Sequence, residues 1–396
     1  MFRAFEKNTY YQKLYPTVNN EDLLEFRIPP NVKGNMCLSD VLLRYVIRLP
    51  KVKDSSVTLF LENFLGHKQF SSLEVRINGE AITRRSCSNE YFLSAYFQYQ
   101  TNYNMDYVYS CNAIGCFDSA EVGKQELTGT MLEKIAKSRH GVNDDYVYEI
   151  VMPVDASIFT SNQNLPTNTA IELSYERADS KFSTVLSGTT SEVFPTVLTL
   201  DDAYILVPYT LDIDLQEAEK EAISRPLKIK YDDYTINRFN IPKDSPNVRL
   251  ANVLSGPLPS KIFFGIMPLD AYTGSHDIAS TRFQLHDMKK ATLYVDGNVL
   301  SGYPIQMDEN AITIPFVRFQ ENINRFMNCY SSRTHSPATF KEYHFLLSAK
   351  LDGTTSGSLT FEFDFAAAPP TDLVLITCCH YDRKLELDNF RNFKII

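Results

Sequence analysis

Leu73-Glu74-Val75-Arg76-Ile77-Asn78-Gly79 alternates apolar and charged residues and then reaches an Asn-Gly pair. Alternation at period two sends one set of side chains to a core and the other to solvent, which is the pattern of a half-buried strand. Asn-Gly supplies the two positive-φ residues that a tight hairpin turn requires. The stretch therefore predicts a β-hairpin. Leu293-Tyr294-Val295-Asp296-Gly297 repeats it 218 residues later. Asn78, Gly79, Asp296 and Gly297 are accordingly read as structural turn residues.

Similar segments extend in both directions. Leu24-Glu25-Phe26-Arg27-Ile28 alternates and stops at Pro29-Pro30, and the apolar run Val41 to Leu49 ends at Pro50. Ile171-Glu172-Leu173-Ser174-Tyr175 and Tyr204-Ile205-Leu206-Val207 continue the pattern. Short strands punctuated by Pro, Gly and Asn point to an all-β sandwich or barrel. Helical patterns are few: 90–99, 315–326 with Pro315 at its first position, and the acidic stretch 215–223 followed by Pro226. Two further echoes join the hairpins. Phe26-Arg27-Ile28-Pro29 returns as Phe239-Asn240-Ile241-Pro242 at an offset of 213, and the strand ending at Pro50 returns as Ile262–Met267 ending at Pro268 at 218. Three echoes in one order predict a duplicated β-domain. The helix at 215–223 is its natural boundary.

Composition agrees. A chain of 396 residues exceeds what one core usually organises, and 44% hydrophobic residues can fill two. Tyr (23) and Phe (26) are abundant and suit pleated surfaces; Trp, a common sugar-stacking platform, is absent. The net charge of −9 argues against generic attraction to phosphate backbones. Residues 1–16 and the tail from Arg383 are mildly basic, which fits either solvated termini or an arm facing an anionic interior. The seven cysteines at 37, 87, 111, 116, 329, 378 and 379 have no zinc spacing, and no Asn-x-Ser/Thr sequon occurs. The first residues lack an apolar signal-peptide run, and no segment is apolar enough to span a bilayer. A chain with free thiols, not secreted through a signal peptide, is expected.

A search for reactive groups finds little. Gly123-Lys124-Gln125 is not a phosphate loop, and Gly-x-Ser-x-Gly is missing. The histidines at 67, 140, 276, 286, 335, 344 and 380 form no ligand pair, and His344 falls in a candidate strand from Tyr343 to Ala349 with a structural role. Glu362 and Asp364 share a strand face, as a glycosidase pair would, but also read as the wet side of a strand whose Phe361, Phe363 and Phe365 fill a core. Asp201-Asp202 and Asp232-Asp233 fit turns. No catalytic residue, cofactor site or metal site is expected. The polar insertion at 100–145 is long enough to make contacts.

At this point the residues resemble a known family. Phe70-Ser71-Ser72-Leu73-Glu74-Val75-Arg76-Ile77-Asn78-Gly79 is similar to the first-barrel segment of the major capsid proteins of Polinton (Maverick) elements and adintoviruses. Ser255-Gly256-Pro257-Leu258-Pro259-Ser260-Lys261-Ile262-Phe263-Phe264-Gly265-Ile266 resembles the start of a second-barrel strand there. Ala271-Tyr272-Thr273-Gly274-Ser275, Phe283-Gln284-Leu285-His286 and Leu293–Gly297 follow in family order. Asn89-Glu90-Tyr91-Phe92-Leu93 stands where the family has an aromatic-Pro-aromatic-Arg stretch. The resemblance implies two tandem eight-stranded jelly rolls with a few short helices: an arm at 1–20, a first roll at 21–214, a linker helix at 215–225, a second roll at 226–382 and a tail at 383–396. It implies a non-enzymatic capsid protein of the virion, assembled inside the host cell. Homotrimers would present six barrels as a pseudo-hexagonal tile of an icosahedral shell. The partners would be further copies and a penton or minor capsid protein, without sequence-specific nucleic-acid binding. The other readings are a β-sandwich glycan-active enzyme, which needs two carboxylates about 5–10 Å apart in one cleft, and a lectin-like binding module.

Overall fold

The computed structural model describes residues 9–30, 34–49, 58–62, 64–83, 87–102, 146–161, 164–165, 169–187, 194–210, 227–307, 312–322, 340–341, 344–351, 356–387 and 393–395. The first half is built on β1 (Thr9–Leu14), β2 (Leu23–Ile28), β3 (Leu42–Leu49), β4 (Phe70–Ile77), β5 (Glu80–Ala81), β6 (Tyr146–Pro153), β7 (Ile171–Arg177) and β8 (Thr199–Thr210). One antiparallel sheet runs β1-β8-β3-β6 and the other β2-β7-β4-β5. The second half is built on β9 (Leu227–Ile241), β10 (Asn247–Pro257), β11 (Lys261–Pro268), β12 (Met288–Val295), β13 (Asn298–Val299), β14 (Leu347–Lys350), β15 (Ser356–Phe365) and β16 (Leu373–Leu387). Its sheets run β9-β16-β11-β14 and β10-β15-β12-β13. The second half repeats the strand order of the first, and that order is the jelly roll. The fold is two tandem jelly rolls.

Period-two alternation fills both cores. On β4, Val75 and Ile77 are fully buried while Arg76 between them is exposed. On β15, Phe361 and Phe363 are fully buried, each contributing about 1.5–3 kcal/mol of burial free energy. Rings span the gap between the sheets of each roll: Tyr45 meets Phe70 edge-on with centroids 5.7 Å apart, and Phe264 meets Phe361 at 4.9 Å. The helices are α1 (Glu90–Asn102), α2 (Leu269–Thr273) and α3 (Thr313–Asn322). In each roll a helix, α1 or α3, follows the hairpin. The α3 helix begins at Thr313, so Pro315 is its third residue and not its first. Its missing N–H is still one of the first-turn donors that lack an intrahelical partner.

Pairing registers show which echoes are equivalent. The hairpins are: Asn78 and Gly79 have φ of +50° and +86°, and Asp296 and Gly297 have +49° and +80°. The stretch Phe26–Ile28 lies in β2, whereas Phe239–Ile241 lies in β9, the counterpart of β1. Leu250 on β10 holds the place of Phe26, since each pairs with the residue that faces the hairpin strand, Phe361 or Leu173. The two strands ending near proline are counterparts, but one residue out of phase. Leu49 points into its core, whereas Met267 lies on the opposite face from the inward Phe264 and Ile266. A slip of one residue reverses every side chain, so proline position is a poor marker of register.

Several other segments differ from their sequence reading. Residues 9–14, read as arm, form β1 against β8, and Tyr10 stacks on the buried Tyr209 at 5.3 Å. Residues 383–387 continue β16, and Phe393–Ile395 pairs back onto it. Asp201-Asp202 and Asp232-Asp233 are strand residues, not turns. Asp201 is held by Arg48 beside a bulge where Asp202 has φ +48°, and Asp233 accepts from Arg383 Nε at 3.0 Å. His344 precedes β14, which starts at Leu347. The 215–223 helix, the insertion beyond residue 102, and His140, His335, Cys111, Cys116 and Cys329 lie outside the described residues.

Two close fits give tests. A Cβ on Gly265 would lie 2.6 Å from Phe283, 2.7 Å from Leu346 and 3.0 Å from the Phe345 carbonyl oxygen. Gly265→Val is expected to lose about 1–3 kcal/mol or more in urea unfolding through overpacking. Burial lowers the pKa of His286 to about 4, and its Nε2 is buried without a partner. The folded chain keeps this ring neutral while the unfolded chain protonates it below about pH 6.5. Stability is therefore expected to be level above pH 6.5 and to fall by up to about 3 kcal/mol towards pH 4. Titration of urea midpoints for wild type and His286→Gln measures it, the variant lacking that part of the slope.

Candidate functional site

The densest polar chemistry among the described residues lies where the two rolls meet. The segment Leu61-Glu62 to Lys68-Gln69-Phe70 crosses the junction, and its only charged residues are buried: Lys68 is 0% and Glu62 6% exposed. The Lys68 ammonium is bonded to the Glu62 carboxylate and donates to Thr281 Oγ1 of the second roll at 3.1 Å. Glu62 also accepts from the Ser280 backbone N–H at 2.9 Å, while Ser280 Oγ lies 3.0 Å from both Glu62 Oε2 and the Phe182 carbonyl. Burial pushes the Glu62 carboxyl upward, and Lys68 and the Ser280 donors oppose this. Glu62 and Lys68 thus each hydrogen-bond a residue of the second roll as well as each other. Such a pair is a matching device more than a source of net stability.

Beside it lies an aromatic seam carried by α1. Residues 91–93 and 95–97 are all buried, because α1 sits between the rolls. Tyr96 stacks on Phe283 at 5.1 Å, and its hydroxyl is 2.9 Å from His344 Nδ1. Burial holds the Tyr96 phenol well above its usual pKa, so it stays protonated. At the head of α1, Asn89 Nδ2 donates to the Tyr272 carbonyl at 3.0 Å, and Tyr272 Oη donates to the Ser88 carbonyl at 2.9 Å. Ser157 Oγ accepts from the Tyr234 N–H of β9 at 3.3 Å. These contacts can fix orientation, but they offer no exposed nucleophile.

The residues singled out from the sequence are dispersed. The turn pairs are at the hairpin tips, where Asn78 Oδ1 accepts from Ala170 N at 2.9 Å and Asp296 Oδ1 from Ser358 N at 2.8 Å. Glu362 and Asp364 share the outer face of β15. Lys290 lies 3.0 Å from Asp364 and 3.8 Å from Glu362, and Tyr294 donates to Glu362 at 3.2 Å. Neither reaches the cleft of about 660 Å³ beside β12, where Asp287 is the only carboxylate among the described lining residues. Its described lining residues do not supply the two facing carboxylates of a glycosidase. Cys378 and Cys379 are free and buried, and burial raises both thiols, Cys379 to about 12, which makes them poor nucleophiles.

Asp232, His380 and Asp382 bring ligand atoms within 4.8 Å of one another, a grouping that the sequence reading had not joined. Strand pairing across β9 and β16 assembles it, which linear spacing cannot reveal. His380 lies 3.4 Å from Asp232 and stacks on Tyr234 at 4.9 Å; a hydrogen bond to His380 lowers the Asp232 carboxyl. Lys261 pairs in register with His380, and its positive charge also lowers the Asp232 carboxyl.

Sequence reasoning also missed the Glu62–Lys68 pair, although its signal was present as two opposite charges inside an apolar run. Removing one partner leaves the other charge buried alone. Lys68→Met is expected to cost about 3–5 kcal/mol. The double variant Glu62→Gln/Lys68→Met should recover much of that loss, as read by urea unfolding of the three proteins.

No known family model matches this chain, and no curated protein matches it in sequence. Solved structures do. The chain is similar to PBCV-1 VP54, in a crystal structure fitted into a reconstruction of the virophage Sputnik, with a TM-score of 0.58 at 9% identity over 100% of this chain and 98% of that one. It is similar to the mavirus major capsid protein, with a TM-score of 0.58 at 11% identity over 98% and 90% of the two chains. A cryo-EM structure of the Sputnik virophage gives 0.59 at 10% identity over 100% and 90%. At such identities the likeness is one of fold, and it extends across both rolls: the chain has the double jelly-roll fold found in these viral capsid proteins.

Proposed function

We propose that this protein is the major capsid protein of a virus or virus-like element related to the Polinton and virophage group. The observation that carries the reading is the pair of like-ordered rolls joined by a buried seam of polar and aromatic contacts. Two similar barrels held at one fixed angle form a tile, and a catalyst has no need of that geometry. Near-complete coverage of solved viral capsid proteins supports it. In the proposed particle three chains join head to tail, six rolls make a pseudo-hexagonal unit, and a penton or minor capsid protein fills other positions. The rolls are divided at 215–225, and the turns at Asn78-Gly79 and Asp296-Gly297 are structural. The protein acts in the virion, without enzymatic activity of its own and without reading nucleic-acid sequence.

Light scattering on the eluting full-length chain tests this. The expected result is a mass of three chains of 45.2 kDa, with shells or hexagonal tiles in negative stain. A strictly monomeric species at high micromolar concentration in all conditions would overturn it.

A further inference from the structure

We propose that α3 of one copy docks on the outer row of β1 of the next, repeating between chains the contact that α1 makes within one chain; this rests on the assembly reading above. The template is internal. The α1 helix of the first roll covers the outer face of the β9-β16 sheet, where Ile236 and its register partner Cys378 are fully buried. The counterparts of α1 and β9 are α3 and β1. Among the described residues neither is covered to the same degree.

These two elements carry three of the four exposed large hydrophobic residues among those described: Ile314 on α3 (57% exposed), Tyr15 just after β1 (64%) and Tyr11 on β1 (41%). On α3, Pro315 and Phe319 face the chain's own second roll, with Phe319 against Phe263 at 6.1 Å. Ile314, Val317 and Glu321 fall on the opposite stripe at i, i+3 and i+7, and Glu321 is exposed. On β1 the outward row is Tyr11, Lys13 and Tyr15. Lys13 lies 3.8 Å from the Tyr204 ring centroid and 4.8 Å from that of Tyr15, which holds the row in one arrangement before any partner arrives. The surfaces are complementary: an aliphatic residue and an acid on α3, tyrosines and a lysine on β1. Because they lie on different elements, the contact can run head to tail, α3 of each copy on β1 of the next, until the ring closes. A second copy of this chain is therefore the occupant.

The test uses the full chain with four variants. Ile314→Lys and Tyr15→Glu are each expected to raise the half-dissociation concentration of the trimer at least about tenfold by light scattering. Val299→Lys, an exposed apolar site on a hairpin, should leave it unchanged. Combining Ile314→Lys with Tyr15→Glu should restore association through a new ion pair. Circular dichroism melts identify any single variant that fails to fold; for these, Lys13→Glu, Glu321→Lys and the double swap give the same comparison at charged surface positions. A trimeric wild type whose variants all associate normally overturns the docking contact and leaves the assembly reading standing. A monomeric wild type overturns both.

Discussion

The buried charge pair of Glu62 and Lys68 sets the geometry on which the rest of the molecule depends. Two jelly rolls on one chain could meet at many angles. Apolar contact alone would tolerate sliding. A carboxylate and an ammonium removed from water tolerate only the arrangement in which Ser280 and Thr281 complete their hydrogen bonds. The aromatic seam of Tyr96, Phe283 and His344 then packs in one way. The fixed angle between the rolls thus comes from polar specificity as much as from buried area.

Much of the fold could be read in the sequence because strands announce themselves locally. The hairpin at Asn78-Gly79 and its echo at Asp296-Gly297 needed only period-two alternation and turn chemistry. Most of helix α1 was visible as the aromatic-rich run at 90–99, which has no Gly or Pro. Correspondence beyond the hairpins was not visible. Phe26 matched Phe239 in letters but Leu250 in space, because sheet position is decided by partners far away in sequence. The terminal strands were read as an arm and a tail for the same reason: β1 alone is a short tyrosine-rich segment, and only β8 makes it a strand.

The site shows a different limit. Glu62 and Lys68 carried a local signal, opposite charges in an apolar stretch, that an inventory of catalytic motifs does not collect. The grouping of Asp232, His380 and Asp382 carried too little, since Asp232 lies almost 150 positions from the other two and meets them through strand pairing. The carboxylates that did look like a pair, Glu362 and Asp364, are occupied by Lys290 and Tyr294 on an outer sheet face. Residue type and spacing located surfaces; three-dimensional neighbours decided what those surfaces do.

Gly265 has a consequence beyond its own tight fit. Its missing side chain makes room for Phe283, and Phe283 in turn fills the space against Tyr96 and Phe97 of the first roll. Four positions on two barrels therefore share one fixed volume. Drift at any of them must be answered at another, so these residues form a single heritable unit. In diverged relatives they should covary in size, with the summed bulk conserved while the individual letters change.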